Sequence, residues 1–330
     1  MAPQFNPNDF SRFANFDIFE TVYKVVHGHE IACHVLVPKA LAERARHTPS
    51  NPSPIILRIH GGGFISGSSL FPDFFSPWHL QLASRHEAVI VSCDYRLAPE
   101  ATMDEIIADI DDFLIWTRTE LPGFIGGKAN VQVDTARILT AGDSAGGYLS
   151  LMTGLNHASE IRAVTASYPL VDAKSRHFSE AYEKPMFGFP QMPASLISEH
   201  KAKLKKNADT TSIISADPQA QRAALMFSYI QNGKFDELIP LDRRDLFILD
   251  KIEDGARFPR GGVFIWHGKE DTVVPVEGSV KLADTIKELD PDLTFTLSVR
   301  DGDHGFDAAS SIDEPWFFEG LKPLVSAWPA

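Results

Sequence analysis

The sequence predicts an α/β protein with a mostly parallel sheet that is covered by helices on both faces. Short apolar segments alternate with helical segments along most of the chain, which is typical of such sheets. One of these strands passes through a glycine-flanked serine at 142–146 directly into a helix. The chain has 330 residues, of which 44% are hydrophobic, enough for a sizeable core. We therefore predict a single domain over 1–330.

The first half of the chain begins with strands. Apolar-rich segments at 19–26 and 31–37 flank His27-Gly28-His29-Glu30, which predicts an antiparallel hairpin. The segments at 55–59 and 88–92 are short and mainly apolar, so we predict a buried strand at each. A helix is predicted at 104–118, where apolar side chains recur at helical spacing: Ile106, Ile107, Ile110, Phe113 and Leu114.

The second half continues the alternation. Strands are predicted at 137–141, 162–167, 262–266 and 293–298, and helices at 147–155 and 276–289. Residues from about 172 to 258 contain no convincing strand and carry scattered helical patterns. An insertion of this kind is expected to cover the carboxyl edge of the sheet, where ligands bind in α/β proteins. The alternative is a surface decoration away from any site.

Gly142-Asp143-Ser144-Ala145-Gly146 fits the G-x-S-x-G pattern of a nucleophile elbow. In this motif a serine occupies a tight turn between a strand and a helix, and its hydroxyl points away from the sheet. Small flanking residues are needed because a bulkier neighbour would crowd the turn. The predicted strand and helix lie on the required sides, so we expect Ser144 to be a nucleophile.

A serine nucleophile needs a base, and the base needs an acid to orient it. After the strand at 262–266 the chain reads His267-Gly268-Lys269-Glu270-Asp271, and we choose Asp271 as the acid, with Glu270 as the weaker alternative. His304 follows the last predicted strand in a glycine-bearing loop, and it is the one histidine after Asp271. We expect His304 to be the base, whereas His267 is predicted to be structural.

A glycine run, His60-Gly61-Gly62-Gly63-Phe64, directly follows the strand at 55–59. Bare N–H groups there can approach a substrate oxygen, so Gly62, Gly63 and the N–H of Ala145 are the expected oxyanion donors. A phosphate-binding loop would need a following lysine, which this segment lacks.

These motifs, with Asp94-Tyr95-Arg96-Leu97-Ala98-Pro99-Glu100 and Asp303-His304-Gly305-Phe306, resemble the hormone-sensitive-lipase-like family of α/β hydrolases. The resemblance covers about 55–310. It implies an eight-stranded, mostly parallel sheet and a helical cap drawn from about 1–18 and about 172–258. It also implies carboxylesterase or lipase activity, with Ser144 as nucleophile, Asp271 as acid and His304 as base. The sequence as a whole is also similar to hydrolases of fungal natural-product pathways.

Net charge and the distribution of apolar residues limit the classes of partner that the protein can bind. A net charge of −13 disfavours nucleic-acid binding. No apolar stretch is long enough to span a bilayer, and residues 1–6 lack the features of a signal peptide, so we expect a cytoplasmic protein. Cys33 and Cys93 lie in or beside apolar strand-like segments, which favours two buried thiols over a disulfide. No metal or organic cofactor is predicted, because no zinc or dinucleotide motif is present in its required context.

Three functions remain open from the sequence. The first is a serine carboxylic-ester hydrolase that acts on a small to medium apolar ester, with Phe64, Met186 and Phe187 as candidate substrate contacts. The second is a lactonase, thioesterase or acyltransferase of a natural-product pathway. The third is a non-catalytic ligand-binding receptor, which an intact triad disfavours. The oligomeric state is left open, a homodimer included.

Overall fold

The computed structural model describes residues 5–48, 51–206 and 213–329. Its eight strands form one sheet. They are β1 (Phe16–Val26), β2 (His29–Pro38), β3 (Ser53–Ile59), β4 (Val89–Cys93), β5 (Val133–Asp143), β6 (Ala163–Ser167), β7 (Val263–Gly268) and β8 (Phe295–Arg300).

Eleven α-helices lie within the described ranges. They are α1 (Lys39–His47), α2 (Pro77–His86), α3 (Met103–Thr119), α4 (Leu121–Ala129), α5 (Ala145–Asn156), α6 (Arg176–Ser179), α7 (Ser195–Lys206), α8 (Ala223–Gln231), α9 (Ile248–Glu253), α10 (Glu277–Leu289) and α11 (Pro315–Ala327).

The sheet is mostly parallel, which confirms the predicted fold class. Its strand order is β1-β2-β4-β3-β5-β6-β7-β8. β1 pairs antiparallel with β2, and β2 with β4, whereas every later neighbour pair is parallel. The opening hairpin is longer than predicted, because β1 already begins at Phe16. The last residues of the expected N-terminal cap element, about 1–18, therefore belong to the sheet, and residues 1–4 lie outside the described residues.

Helices cover both faces because alternate strand residues point in opposite directions. In β3, Ile55 and Leu57 join an apolar layer that includes α3 and α5, while Ile56 joins the opposite layer. That second layer contains α2 and α11, which contribute Trp78 and Phe317 against Trp266 of β7. The sequence analysis did not predict α1, α2, α4 or α11.

The sheet brings the predicted motifs to one edge. β3 leads into the glycine run at 61–63, and β5 leads into Ser144. β7 and β8 are followed by Asp271 and His304, respectively. Because β3, β5, β7 and β8 run parallel, their carboxyl ends meet at the same edge, and the four motifs with them.

Between β6 and β7 the described residues form helices α6 to α9 and no strand of the sheet. Across the ranges that the structure covers, no helix combines the length and apolar character needed to cross a bilayer. Cys33 and Cys93 are opposed on β2 and β4, and both are buried free thiols.

Candidate active site

Ser144 lies in a sharp turn between β5 and α5, with φ 57° and ψ −117°. The glycines on either side are required by close backbone approach. A Cβ on Gly142 would collide with the carbonyl oxygen of Gly146, and one on Gly146 would collide with that of Ile59. The Ser144 N–H donates to the Ser167 carbonyl at 2.9 Å, which fixes the turn against β6.

Asp271 and His304 form a hydrogen-bonded pair. His304 Nδ1 donates to Asp271 Oδ2 at 2.7 Å. The other carboxylate oxygen accepts from the N–H groups of Val273 at 2.9 Å and Val274 at 2.7 Å. The Asp271 side chain is fully buried, and the His304 side chain is 11% exposed. With Nδ1 engaged, Nε2 is left as the basic nitrogen of the ring.

The alternatives for these roles have other partners. The Glu270 carboxylate accepts from the Gly302 N–H at 2.7 Å, so it joins two loops and does not contact the His304 ring. His267 is buried between the Ser279 hydroxyl at 2.8 Å and the Val274 carbonyl at 2.7 Å. Its Nε2 also lies 3.2 Å from Asp271 Oδ2, so His267 is a buried neighbour of the candidate acid.

The charges around His304 favour its protonated form. Burial of the ring opposes that charge, but the Asp271 carboxylate, helped by Asp143 and Asp303, outweighs burial and raises the pKa of His304 above 6.5. Burial likewise opposes the charge of Asp271, yet His304 and His267 hold the pKa of that carboxyl well below its usual range. The pair therefore favours an ionised acid beside a base that binds protons readily.

The glycine run forms a tight loop beside Ser144. The Gly62 carbonyl accepts from the N–H groups of Ile65 and Ser66 at 3.0 and 2.9 Å. Within the described part of the chain, the N–H groups of Gly62 and Gly63 have no hydrogen-bond acceptor. Ala145 is the first residue of α5, where N–H groups lack intrahelical partners. The three predicted donors are thus backbone N–H groups that can still donate to a ligand oxygen.

Two residues behind this loop were missed by the sequence analysis. Asp143 accepts from the Gly61 N–H at 3.2 Å, and Arg58 reaches the same carboxylate at 3.3 Å. Both side chains are buried, and burial raises the pKa of Asp143 to about 6 despite the Arg58 charge. A signal was available, because Arg58 is the one charged residue in an apolar strand segment and Asp143 lies inside the elbow motif.

Tyr168 was also missed, and its ring packs against His304, the candidate base. It follows β6, its ring centroid lies 4.3 Å from that of His304, and its φ is 37°. Burial, followed by the nearby carboxylates of Asp307 and Asp143, raises the pKa of its hydroxyl well above 10. No periodicity or motif in the sequence marks this tyrosine, so tertiary contact alone reveals it.

A cavity of about 270 Å³ joins these groups. Ser144, His304, Gly62, Gly63 and Ala145 all line it. In the described ranges no hydrogen bond joins the Ser144 hydroxyl to His304, and such bonds are often long before substrate binds. Much of the wall is apolar and comes from the segment between β6 and β7: Phe178, Phe187, Met226, Phe227, Ile230 and Phe235. Phe5 and Phe74 add a second aromatic wall.

Of the three candidate substrate contacts, Phe187 lines the cavity, and its ring lies 6.0 Å from that of His304. Phe64 and Met186 are fully buried and are not among the lining residues. Phe64, whose backbone has φ 64°, packs against Tyr148 with the ring centroids 5.4 Å apart. Met186 begins a tight turn that closes on Phe189, so Phe187 occupies the tip.

Comparison with known proteins finds α/β hydrolases and esterases at the levels of family, sequence and fold. A family model described as alpha/beta hydrolase fold matches residues 56–240. A protein described as a probable carboxylesterase in Phoma sp. (strain ATCC 20986 / MF5453) is 28% identical over 327 residues, which cover 96% of this chain and 98% of that protein. Esterase B from Lactobacillus rhamnosis (HN001) has a similar fold, with a TM-score of 0.59 at 16% identity, over 96% of this chain and 88% of that one.

A second kind of relative is much longer. A non-reducing polyketide synthase of Stachybotrys bisbyi is 27% identical over 332 residues, which cover 93% of this chain. The match spans only 14% of the length of that synthase. Similar regions occur in non-reducing polyketide synthases of Acremonium egyptiacum and Preussia isomera.

Proposed function

The chain belongs to the hormone-sensitive-lipase-like family of α/β hydrolases and is an ester hydrolase of the carboxylesterase kind, and from this premise we propose that Ser144, His304 and Asp271 carry the reaction. The observation that carries the proposal is the 2.7 Å hydrogen bond from His304 to the buried Asp271, because His304 lines the same cavity as Ser144.

In the proposed mechanism His304 Nε2 takes the hydroxyl proton of Ser144 as Oγ attacks the ester carbonyl carbon. The carbonyl π electrons move onto oxygen, and the N–H groups of Gly62, Gly63 and Ala145 hold the resulting oxyanion. As the carbonyl re-forms, the ester C–O bond breaks and the leaving alcohol takes the proton from His304. Water then attacks the acyl-enzyme by the same sequence, which releases the acid and restores Ser144.

The cavity favours an uncharged, apolar ester. Its walls are mainly aromatic and aliphatic, and among the described residues that line it none is lysine or arginine. Two carboxylates, Asp73 and Asp143, do line it. Desolvating an anionic substrate there would be unfavourable, because the lining offers it no lysine or arginine and the buried Arg58 is already paired with Asp143. We propose that residues 172–258 act as the cap that supplies this apolar wall, with Phe187 as a substrate contact.

The polyketide synthase relatives favour a second candidate that uses the same machinery. They match nearly the whole of this chain, and an acyl chain built by a synthase must be released onto water or another acceptor. A lactonase, thioesterase or acyltransferase acting on a polyketide-derived acyl group is therefore the alternative. Feeding an acyl thioester with and without an alcohol acceptor, and identifying the products, separates transfer from hydrolysis.

The test of the proposal is labelling with a fluorophosphonate, followed by mass-spectrometric mapping of the adduct. We expect one adduct, at Ser144, and turnover of p-nitrophenyl esters with a preference set by acyl length. An unlabelled protein that binds the same esters without turnover would favour the receptor hypothesis, which requires no reactive serine. A label at another residue would contradict the assignment of Ser144.

A further inference from the structure

The Asp303 carboxylate lies between the loop that carries the acid and the loop that carries the base. Its Oδ1 accepts from the Thr272 N–H at 2.7 Å, the Thr272 hydroxyl at 2.9 Å and the His304 N–H at 2.7 Å. Its Oδ2 lies 3.0 Å from the same hydroxyl. One carboxyl group thus binds backbone N–H groups from both loops, although Thr272 and Asp303 are 31 positions apart.

The positions of these contacts along the chain matter. Thr272 directly follows Asp271, and Asp303 directly precedes His304. Each contact therefore fixes the backbone next to one partner of the Asp271–His304 pair. A carboxylate held by several N–H and O–H donors is a strong, directional anchor. If these bonds were lost, Glu270 and Gly302 would still join the two loops, but the backbone beside Asp271 and His304 would lose its anchor and the His304 ring its fixed distance from Asp271.

The same network reaches the wall of the cavity. The Phe187 N–H donates to Thr272 Oγ1 at 3.4 Å, while the Thr272 hydroxyl proton points to Asp303. The bonds therefore run in one direction, from the turn at 186–189 through Thr272 to Asp303, an arrangement in which each bond polarises the next. Phe187, whose ring faces His304, has φ 52°, a backbone conformation that needs support from its surroundings.

We propose that Asp303 is a positioning residue, which joins the acid and base loops through Thr272 and so holds the His304 ring in its productive orientation. The inference rests on the proposed role of His304 as base. Asp303 itself touches neither the reacting atoms nor Ser144 in the contacts described. Its effect should therefore appear in kcat and in the protonation of the base, with little change in substrate binding.

The experiment compares Asp303→Asn with Asp301→Asn in the full-length protein. Asp301 is an exposed carboxylate of the same loop, so its variant removes the same charge without removing any of the hydrogen bonds described between the two loops. We expect Asp303→Asn to lower kcat about 10- to 100-fold, with KM changed less than about twofold. The acid limb of its pH profile should move to lower pH, since Asp271, Asp143 and Asp303 all favour the His304 charge. Asp301→Asn should do neither.

Thr272 provides a second test that does not depend on Asp303→Asn folding. Thr272→Val removes the hydroxyl and should lower kcat, and Thr272→Ser should restore it. If kcat in both Asp303→Asn and Thr272→Val stays within about twofold of the parent, the inference is wrong. An equal pH shift in Asp301→Asn would overturn it as well. Failure of the parent protein to label at Ser144 would instead overturn the proposed function, and the inference with it.

Discussion

Ser144 occupies a backbone conformation with positive φ, which few residues other than glycine adopt. Three aromatic residues near it, Phe64, Tyr168 and Phe187, share this property. Such strain persists only where surrounding contacts hold it, and it clusters at functional sites. Here the contacts are the close glycines of the elbow and the rings that pack on Tyr148 and His304. Four of the eight non-glycine residues with positive φ in the described chain therefore lie at or beside the candidate site.

We expect Ser144→Ala to lower kcat for p-nitrophenyl esters by at least about 10³-fold, because the nucleophile is removed while the fold is kept. Ser198→Ala, at an exposed position of α7, is the matched control and should leave kcat unchanged. Thermal melting of both variants checks that they are folded. Activity in folded Ser144→Ala close to that of the parent would exclude the proposed mechanism.

The pH dependence follows from His304. The base must be neutral to take the Ser144 proton, and its pKa is raised above 6.5. The kcat/KM value should therefore rise with pH through an apparent pKa above 6.5, falling about tenfold per pH unit on the acid side. Rates measured across the pH range at fixed ionic strength check this. An acid limb centred well below 6.5 would mean that the carboxylates do not control the base.

The loop between β3 and α2 and the helix α8 meet at Gly63. A Cβ on Gly63 would lie 2.6 Å from Met226 Cγ, and its φ is 61°. Tyr95 braces the start of the same loop, since its hydroxyl donates to the His60 carbonyl and its ring stacks on His60 at 4.3 Å. The glycine run at 61–63 therefore packs both against residues that follow the sheet strands and against helix α8.

Gly63→Ala should lower kcat because the added methyl displaces either the loop or Met226, and shifts an oxyanion donor. A loss of about 10- to 100-fold is expected from misplacing one donor. Gly28→Ala introduces a side chain at a similar positive φ, but with open space around it, and should cost stability alone. Adding Met226→Ala to Gly63→Ala should recover part of the activity. No recovery would mean that backbone strain, and not the contact, is responsible.

The molecule as a whole carries a net negative charge, and acidic side chains also line the cavity. The net charge is −13, and Asp73 and Asp143 line a cavity that has no lysine or arginine among its described lining residues. A negative charge on the substrate should therefore lower kcat/KM in two ways, by long-range repulsion during approach and by the cost of desolvation in the cavity. Long-range attraction is screened by salt, whereas the cost of burying a charge is not.

We expect p-nitrophenyl butyrate to be hydrolysed with a kcat/KM at least about tenfold above that of mono-p-nitrophenyl succinate, which has a similar length but an anionic end. Added salt should narrow the difference only in part. The pair of rates at low and high ionic strength checks both statements. Equal rates for the two esters would show that the anionic end stays in solvent.

The amino-acid sequence alone determines the alternation of strands and helices, since period and apolar content set which faces are buried. All eight strands were predicted, within a few residues at their ends. Helices α1, α2, α4 and α11 were not predicted. The aromatic residues of α2 and α11, including Trp78 and Phe317, are explained only by packing on Trp266. The order of Ser144, Asp271 and His304 was likewise readable, because each follows a strand of one parallel sheet.

Other features depend on contacts between residues far apart in the chain. The sequence marks Asp303 merely as the neighbour of His304, and Tyr168 as a residue after a strand. The fold places the Asp303 carboxylate on Thr272 and the Tyr168 ring on His304. It also turns Phe64 and Met186 into the interior and leaves Phe187 at the cavity wall. Local sequence sets which elements form, whereas the surroundings of a side chain depend on how distant elements pack, which only the tertiary structure decides.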